Sequence, residues 1–214
     1  MTCTSGTRNE CRIFGPFKQA YLENIVEGLK DVREMKGKYY YIDAPPLVEL
    51  LKTYSWSITP TLVSIIRDLI PPKGVILELG SGEGTAVLAE EFTVYSIEHD
   101  KEFIGKYKSN YIHAPLVPHK PVSGFDEPDP VWYNPDALRG KLPKNYELIL
   151  VDGPPKYRSG FVKYFELFKG NVPIVFDDVN RSQDFKVMDK IAKRVGKPYT
   201  VWNGGGKDFG VVIP

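Results

Sequence analysis

The chain has 214 residues, of which 42% are hydrophobic and 13% aromatic, enough for one domain with a sizeable core. Twenty-eight basic residues against 27 acidic ones leave a net charge of +1, which removes the electrostatic case for a nucleic-acid partner. No apolar run approaches the ~20 residues that span a bilayer, no signal-peptide core opens the chain, and Cys3 and Cys11 form neither a metal-ligand spacing nor a disulfide framework, so an intracellular, cytoplasmic setting is expected.

In chain order, residues 1–16 form a loose lead-in. Residues 17–36 carry helical spacing, with Tyr21, Ile25, Val26 and Leu29 on one face. Residues 1–50 are thus expected to be an N-terminal helical extension, followed by one α/β domain over 51–214. Pro45-Pro46 and the segment Lys52–Pro60 break the helical pattern. A helix is expected over 61–69, stopped by Pro71-Pro72.

Strands and helices then alternate. Residues 75–79, 93–97, 111–113, 148–151 and 173–176 read as short buried strands. Helices are expected near 85–91, 101–106, 161–168 and 182–195. Alternation of this kind predicts a doubly wound, mostly parallel sheet. Two strands, 199–202 and 209–213, flank Asn203-Gly-Gly-Gly206 and predict an antiparallel C-terminal pair. The proline-rich stretch 118–135 reads as an inserted loop.

The richest segment is Glu78-Leu-Gly-Ser-Gly-Glu-Gly84, at the end of the first buried strand of the alternating series. Its glycines let the backbone turn tightly and approach a ligand, and the helix that follows presents free N–H groups to an anion. A dinucleotide fingerprint needs a third glycine where Thr85 stands, so that motif fails. No Lys-Ser/Thr pair of a phosphate-binding loop is present either. Glu98 closes the next strand, where a carboxylate can accept ribose hydroxyls. Ligands in such sheets bind beyond the strands' carboxyl ends, which puts Gly80 and Glu98 on one rim.

These segments resemble the class I S-adenosylmethionine-dependent methyltransferases, with a Rossmann-like seven-stranded sheet and an antiparallel C-terminal strand. The resemblance covers about residues 50–214. It implies that Glu78, Gly80, Ser81, Gly82 and Thr85 surround the methionine part of S-adenosylmethionine and that Glu98 holds its ribose. It places His99, His113 and Ala114 near the adenine, and adds Ser57, Thr59 and Asp152 as further cofactor contacts. The alternative is a glycine turn that merely joins a strand to a helix.

A second constellation is Val151-Asp-Gly-Pro-Pro155 with Phe176-Asp-Asp178, each just past a buried strand. Carboxylates crowded at neighbouring strand ends need a cation, a proton or another compensating group. Asp152, Asp177 and Asp178 resemble the Mg²⁺ ligands of metal-dependent sugar O-methyltransferases, and carboxylate oxygens suit Mg²⁺ or Mn²⁺. That family often has a further Asp, a general base, two places after the first; Pro154 stands there instead. The Val-Asp-Gly-Pro element also resembles plant polysaccharide methyltransferases. A fainter likeness is to a methyltransferase domain inside a large glycan-building enzyme of an algal virus, which implies rhamnose as acceptor, a multi-domain setting and the host cytoplasm.

Three expectations for the reaction follow. In a metal-free version Asp152 is the base, with Asp178 next. In a metal version both become ligands, and His113 or an unplaced residue takes the proton. In the bland version Asp152 caps a turn and Asp177 and Asp178 cap the helix near Ser182. Trp56, Arg158 and Arg181 are candidate acceptor contacts, and for the two Arg residues a plain salt bridge to the aspartates is the favoured reading. The expected activity is O-methylation of a sugar or glycan hydroxyl, with neither nucleic acid nor membrane as partner. The rivals are RNA or protein methylation, a polyamine-synthase-like enzyme and a non-catalytic binding module.

Overall fold

The computed structural model describes residues 32–35, 39–43, 58–156, 158–203 and 207–214. Eleven strands occur among them: β1 (Val32–Met35), β2 (Tyr39–Asp43), β3 (Val75–Leu79), β4 (Thr93–Glu98), β5 (Asn110–His113), β6 (Leu116–Pro118), β7 (Val131–Tyr133), β8 (Leu148–Val151), β9 (Ile174–Phe176), β10 (Tyr199–Asn203) and β11 (Asp208–Val212). Five helices accompany them: α1 (Pro60–Leu69), α2 (Glu83–Leu88), α3 (Pro135–Leu138), α4 (Ser159–Lys163) and α5 (Ser182–Val195).

Seven strands run in the order β5-β4-β3-β8-β9-β11-β10, and β2 then β1 extend the β10 edge. Pairing is parallel from β5 through β9, and β11 is antiparallel to both of its neighbours. This is the expected doubly wound sheet with an antiparallel C-terminal strand. The strand order reverses at β3, from which β4 and β5 extend one way and β8 and β9 the other. In such a sheet the crevice beyond the strand ends at this switch point is where ligands bind.

Alternation along the strands builds two cores. Ile76, Leu148, Leu150 and Val175 face α1 through Leu62, Ile65 and Ile66. Leu77, Leu79, Ile149, Val151, Ile174 and Phe176 face the other way, onto Trp132, Phe161, Met188 and Ile191. A strand covered on both faces reads as a continuous apolar run, which explains the Leu-Ile-Leu-Val of β8. α5 ends on Gly196 at φ +68, the left-handed position that glycine takes without steric cost.

Four expectations change. The helix expected over 17–36 gives way to strand at Val32–Met35, and β2 pairs with β10, so the Tyr39-Tyr-Tyr41 run is part of the sheet. Residues 101–106 form hydrogen-bonded turns in place of a helix, and Gly105 at φ +80 closes them. The helix after the glycine loop starts two residues earlier, at Glu83, and ends at Leu88. The helix expected over 161–168 is α4 followed by a 3-10 turn at Phe165–Leu167. The proline-rich insertion has structure at its ends, where β6 pairs antiparallel with β7.

Candidate functional site

The glycine loop leaves β3 through Gly80, whose φ of +92 excludes most side chains. A Cβ on Gly80 would lie 3.2 Å from Cα of Gly153, so the loops after β3 and β8 touch through their glycines. Gly84 is equally constrained, because a Cβ there would meet Ile58 at 2.9 Å. Gly82 differs: no described atom lies within 4 Å of the Cβ position. Two glycines therefore serve packing, and the third borders open space.

Beneath the loop lies a hydrogen-bond chain. Thr85 Oγ1 accepts from the Gly82 N–H at 2.9 Å and donates to Glu78 Oε2 at 2.9 Å. Ser96 Oγ donates to the same oxygen at 2.7 Å. Glu78 and Thr85 are buried, so they hold the loop from below. Burial pushes the Glu78 carboxyl up to about 8, which keeps it protonated at neutral pH.

Glu98 is buried at the end of β4. Its Oε2 accepts from Ser81 N–H (2.9 Å) and Ser81 Oγ (3.1 Å). Its Oε1 accepts from the N–H groups of His99 (2.6 Å) and Asp100 (2.8 Å). Four donors fill the sites that a carboxylate offers. Only the Ser81 hydroxyl can turn away without moving backbone. His99 Nδ1 lies 2.8 Å from Glu98 Oε1, and His113, on β5, places Nε2 3.3 Å from the His99 carbonyl. Ala114 is buried and bonds the Glu98 carbonyl through its N–H.

Beyond β8 and β9 the chemistry is ionic. Asp152, Asp177 and Asp178 bring carboxylate oxygens within 4.8 Å of one another. Arg158, 4% exposed, lies among them. Its Nη2 is 3.4 Å from Asp152 Oδ1 and 3.4 Å from Asp178 Oδ2, its Nε is 3.5 Å from Asp184 Oδ1, and it donates to the carbonyls of Asp152 and Asp177. Arg181 reaches Asp178 at 3.0 Å. Lys207 Nζ lies 3.0 Å from Asp177 Oδ2 and 3.6 Å from Asp178 Oδ1.

Burial and then the neighbouring Asp177 push the Asp152 carboxyl up to about 7. Burial likewise raises Asp184 to about 6. For Lys207, burial works against the charge, and Asp177 and Asp178 outweigh it and hold the ammonium above its usual value. Asp152 remains the open member of the cluster, with 34% of its side chain exposed. Asp178 sits at φ +61, a left-handed conformation that Asp tolerates better than most residues.

The three carboxylates do not fit a divalent cation as they stand. An oxygen site for Mg²⁺ needs close, unshared carboxylate oxygens, and here Arg158, Lys207 and Arg181 already engage them. The capping alternative does not match the geometry either. Arg181 occupies the N-cap of α5 without a side-chain bond, while the side chains of Asp177 and Asp178 are in ion pairs.

The other expected site residues scatter. His113 is three strands from β8, ~14 Å at the usual strand spacing, so it stands apart from the carboxylates. Thr59 caps α1 by accepting from the Leu62 N–H. Arg158 is buried among the aspartates, and Arg181 is half exposed. Trp56 and Ser57 lie outside the described residues, as does Tyr54.

Two residues went unread in the sequence, Asp184 and Lys207, and a third, Tyr133, reads with Trp132 as a loop aromatic that lines a pocket or packs in the core. Asp184 stands three places after Arg181, a spacing that pairs charges across one helical turn. Lys207 meets the aspartates only through the antiparallel register of β11 on β9, fixed by Gly210 opposite Phe176. Tyr133 is fully buried on β7, with its hydroxyl against Gly153 and without a hydrogen-bond partner among the described residues. Trp132 and Tyr133 thus stand on a strand and in the core, and not in a loop.

No protein-family model matches the chain, and neither does any curated protein sequence. Similar solved structures include a protein from Corynebacterium diphtheriae assigned as a precorrin-6Y C5,15-methyltransferase domain. It has 11% identity and a TM-score of 0.45, over 71% of this chain and 93% of that one. A methyltransferase from Pyrococcus furiosus has 16% identity and a TM-score of 0.42, over 97% and 98%. A Staphylococcus aureus protein assigned as a caffeoyl-CoA O-methyltransferase has 16% identity and a TM-score of 0.45, over 73% and 85%. Likenesses this weak carry no argument about function, which rests on the site itself. Among the described residues, no helix is long and apolar enough to cross a membrane.

Proposed function

We propose that this chain is an S-adenosylmethionine-dependent O-methyltransferase acting on a carbohydrate hydroxyl. One observation carries the reading. At the switch point of the sheet, a glycine loop with open space at Gly82 adjoins Glu98 on one side and the part-exposed Asp152 on the other.

S-adenosylmethionine, when bound, supplies a methyl group on a positively charged sulfur and leaves as S-adenosylhomocysteine. The chain's residues then have separate tasks. Gly80 and Gly82 let the backbone approach the ligand. The Ser81 hydroxyl, turned off Glu98, frees one acceptor position for a ribose hydroxyl. His99 and His113 line the β4–β5 side, where the sequence resemblance places the adenine. Alignment of donor and acceptor supplies much of the rate.

A hydroxyl acceptor must also lose its proton as the oxygen–carbon bond forms. Asp152 suits that task, because its carboxyl is part-exposed and is pushed up to about 7 by burial and Asp177. The carbohydrate class rests on the sequence resemblance to sugar and polysaccharide methyltransferases and on a nearly neutral net charge, which offers no attraction to nucleic acid. Rhamnose belongs among the acceptors to be screened.

Calorimetric titration with S-adenosylmethionine and S-adenosylhomocysteine tests the reading. Wild type should bind in the micromolar range, and Gly82→Val should weaken binding at least about tenfold while staying folded, because its side chain fills the open space. Failure of wild type to bind at millimolar ligand would leave a non-catalytic module as the better description. Transfer of labelled methyl to sugars then identifies the acceptor.

A further inference from the structure

The aspartates after β8 and β9 pose a charge problem that is independent of what binds the glycine loop. Carboxylates this close and this buried need positive charge beside them. A divalent ion is one solution, and the chain contains another.

Lys207 reaches the cluster from the C-terminal hairpin. β11 lies antiparallel on β9, and the Val179 N–H donates to the Asp208 carbonyl at 2.8 Å. This register sets Lys207 beside Asp177 and Asp178. Its ammonium lies 3.0 Å from Asp177 Oδ2 and 3.6 Å from Asp178 Oδ1, and only 18% of its side chain is exposed. Arg158 engages other oxygens of the triad, at 3.4 Å from both Asp152 Oδ1 and Asp178 Oδ2. The Lys207 ammonium therefore shares the oxygens that a metal would need.

We propose that Lys207 occupies the cation position of the Asp152–Asp177–Asp178 triad, as a tethered monovalent substitute for a divalent metal. It is a positioning residue. It holds Asp177 and Asp178 in place and leaves Asp152 as the member open to a ligand. Arg158 cannot fill this role alone, since its guanidinium is also shared with Asp184 and two backbone carbonyls.

The test is Mn²⁺ binding, followed by the electron paramagnetic resonance signal of the free ion. It needs neither cofactor nor acceptor, so its outcome is separate from the methyltransferase reading. Lys207→Met keeps most of the aliphatic stem and removes the charge. Wild type should show no saturable Mn²⁺ binding. Lys207→Met should bind Mn²⁺ at least about tenfold more tightly than wild type, and Mn²⁺ should raise the Tm of the variant alone. Adding Asp177→Asn to Lys207→Met should abolish the new binding. Lys207→Arg should behave as wild type.

Two results overturn the proposal. One is a wild type that binds Mn²⁺ and loses it on Asp177→Asn. The other is a folded Lys207→Met that binds no better than wild type. If Lys207→Met does not fold, Lys207→Gln replaces it, and the wild-type titration still decides against the proposal if the triad takes the ion with Lys207 in place.

Discussion

At the ends of β3 and β4, the buried acids Glu78 and Glu98 are met by hydroxyls and backbone N–H groups; at the ends of β8 and β9, the buried aspartates are met by Arg158, Arg181 and Lys207. In the first arrangement neutral donors satisfy the acids one by one. The second places several full charges out of water, and each depends on the others. A polar cradle thus lies beside an ionic cluster on one rim. Substitutions in the two regions should therefore fail in different ways.

The largest effect belongs to Arg158. Arg158→Met should destabilise the fold by about 3–5 kcal/mol in urea unfolding, since it leaves buried carboxylates without their shared cation. A loss below about 1 kcal/mol would mean that Lys207 and Arg181 neutralise the cluster without it, and the contrast between the two regions would shrink.

Asp152 comes next, and its effect falls on turnover. Asp152→Asn should lower the rate ~10²- to 10⁴-fold, the usual range for loss of a general base, with cofactor affinity unchanged. A base must be ionised to accept a proton. Wild-type activity should therefore rise with pH through about 7, where burial and Asp177 place this carboxyl, and the Asn variant should show no such rise. A rate near that of wild type in the variant would make Asp152 a structural member of the cluster.

The polar cradle gives a subtler signature at Glu78. Its folded-state carboxyl titrates at about 8, against an ordinary value of 4.5. The folded protein thus holds this proton more tightly than the unfolded chain. The contribution is fully present below about 4.5 and is lost as pH rises through about 8. Glu78→Gln keeps an oxygen that can accept from Thr85 and Ser96 and removes the titration. The variant should match wild type near pH 4 and be the more stable of the two near pH 8, measured by denaturant unfolding at each pH. Equal pH slopes for the two proteins would show that Glu78 ionises as freely in the fold as in the open chain.

Legibility in the sequence follows the same division. The cradle is local: Glu78 to Thr85 are consecutive, and Glu98 closes the next strand, so spacing alone brought them to one rim. The aspartates after β8 and β9 were also readable, because two buried strands ending in Asp are expected to be neighbours. Of their cations, Arg158 and Arg181 were readable as salt-bridge partners that follow the two acidic motifs, and Lys207 was not. Lys207 depends on the register of an antiparallel strand, which the run Asn203-Gly-Gly-Gly206 does not specify. The turns at 101–106 escaped for a related reason: Gly105 ends a stretch too short to nucleate a helix. The strand at Val32–Met35 owes its state to pairing with β2, which helical spacing cannot reveal.

Tyr133 stands where the two regions meet, and it carries the smallest and sharpest prediction. Its hydroxyl is buried against Gly153, beside the point where Gly153 touches Gly80, and has no partner among the described residues. A buried hydroxyl without a partner forfeits its hydration, so its removal relieves a cost of about 1 kcal/mol, the low end for such a group. Tyr133→Phe should leave the Tm unchanged or raise it. Thr85→Val, in contrast, should lower it, since Thr85 Oγ1 serves both Gly82 and Glu78. If Tyr133→Phe instead costs as much as Thr85→Val, the hydroxyl has a bonding partner, and the cradle and the ionic cluster are joined by a polar link at the Gly80–Gly153 contact.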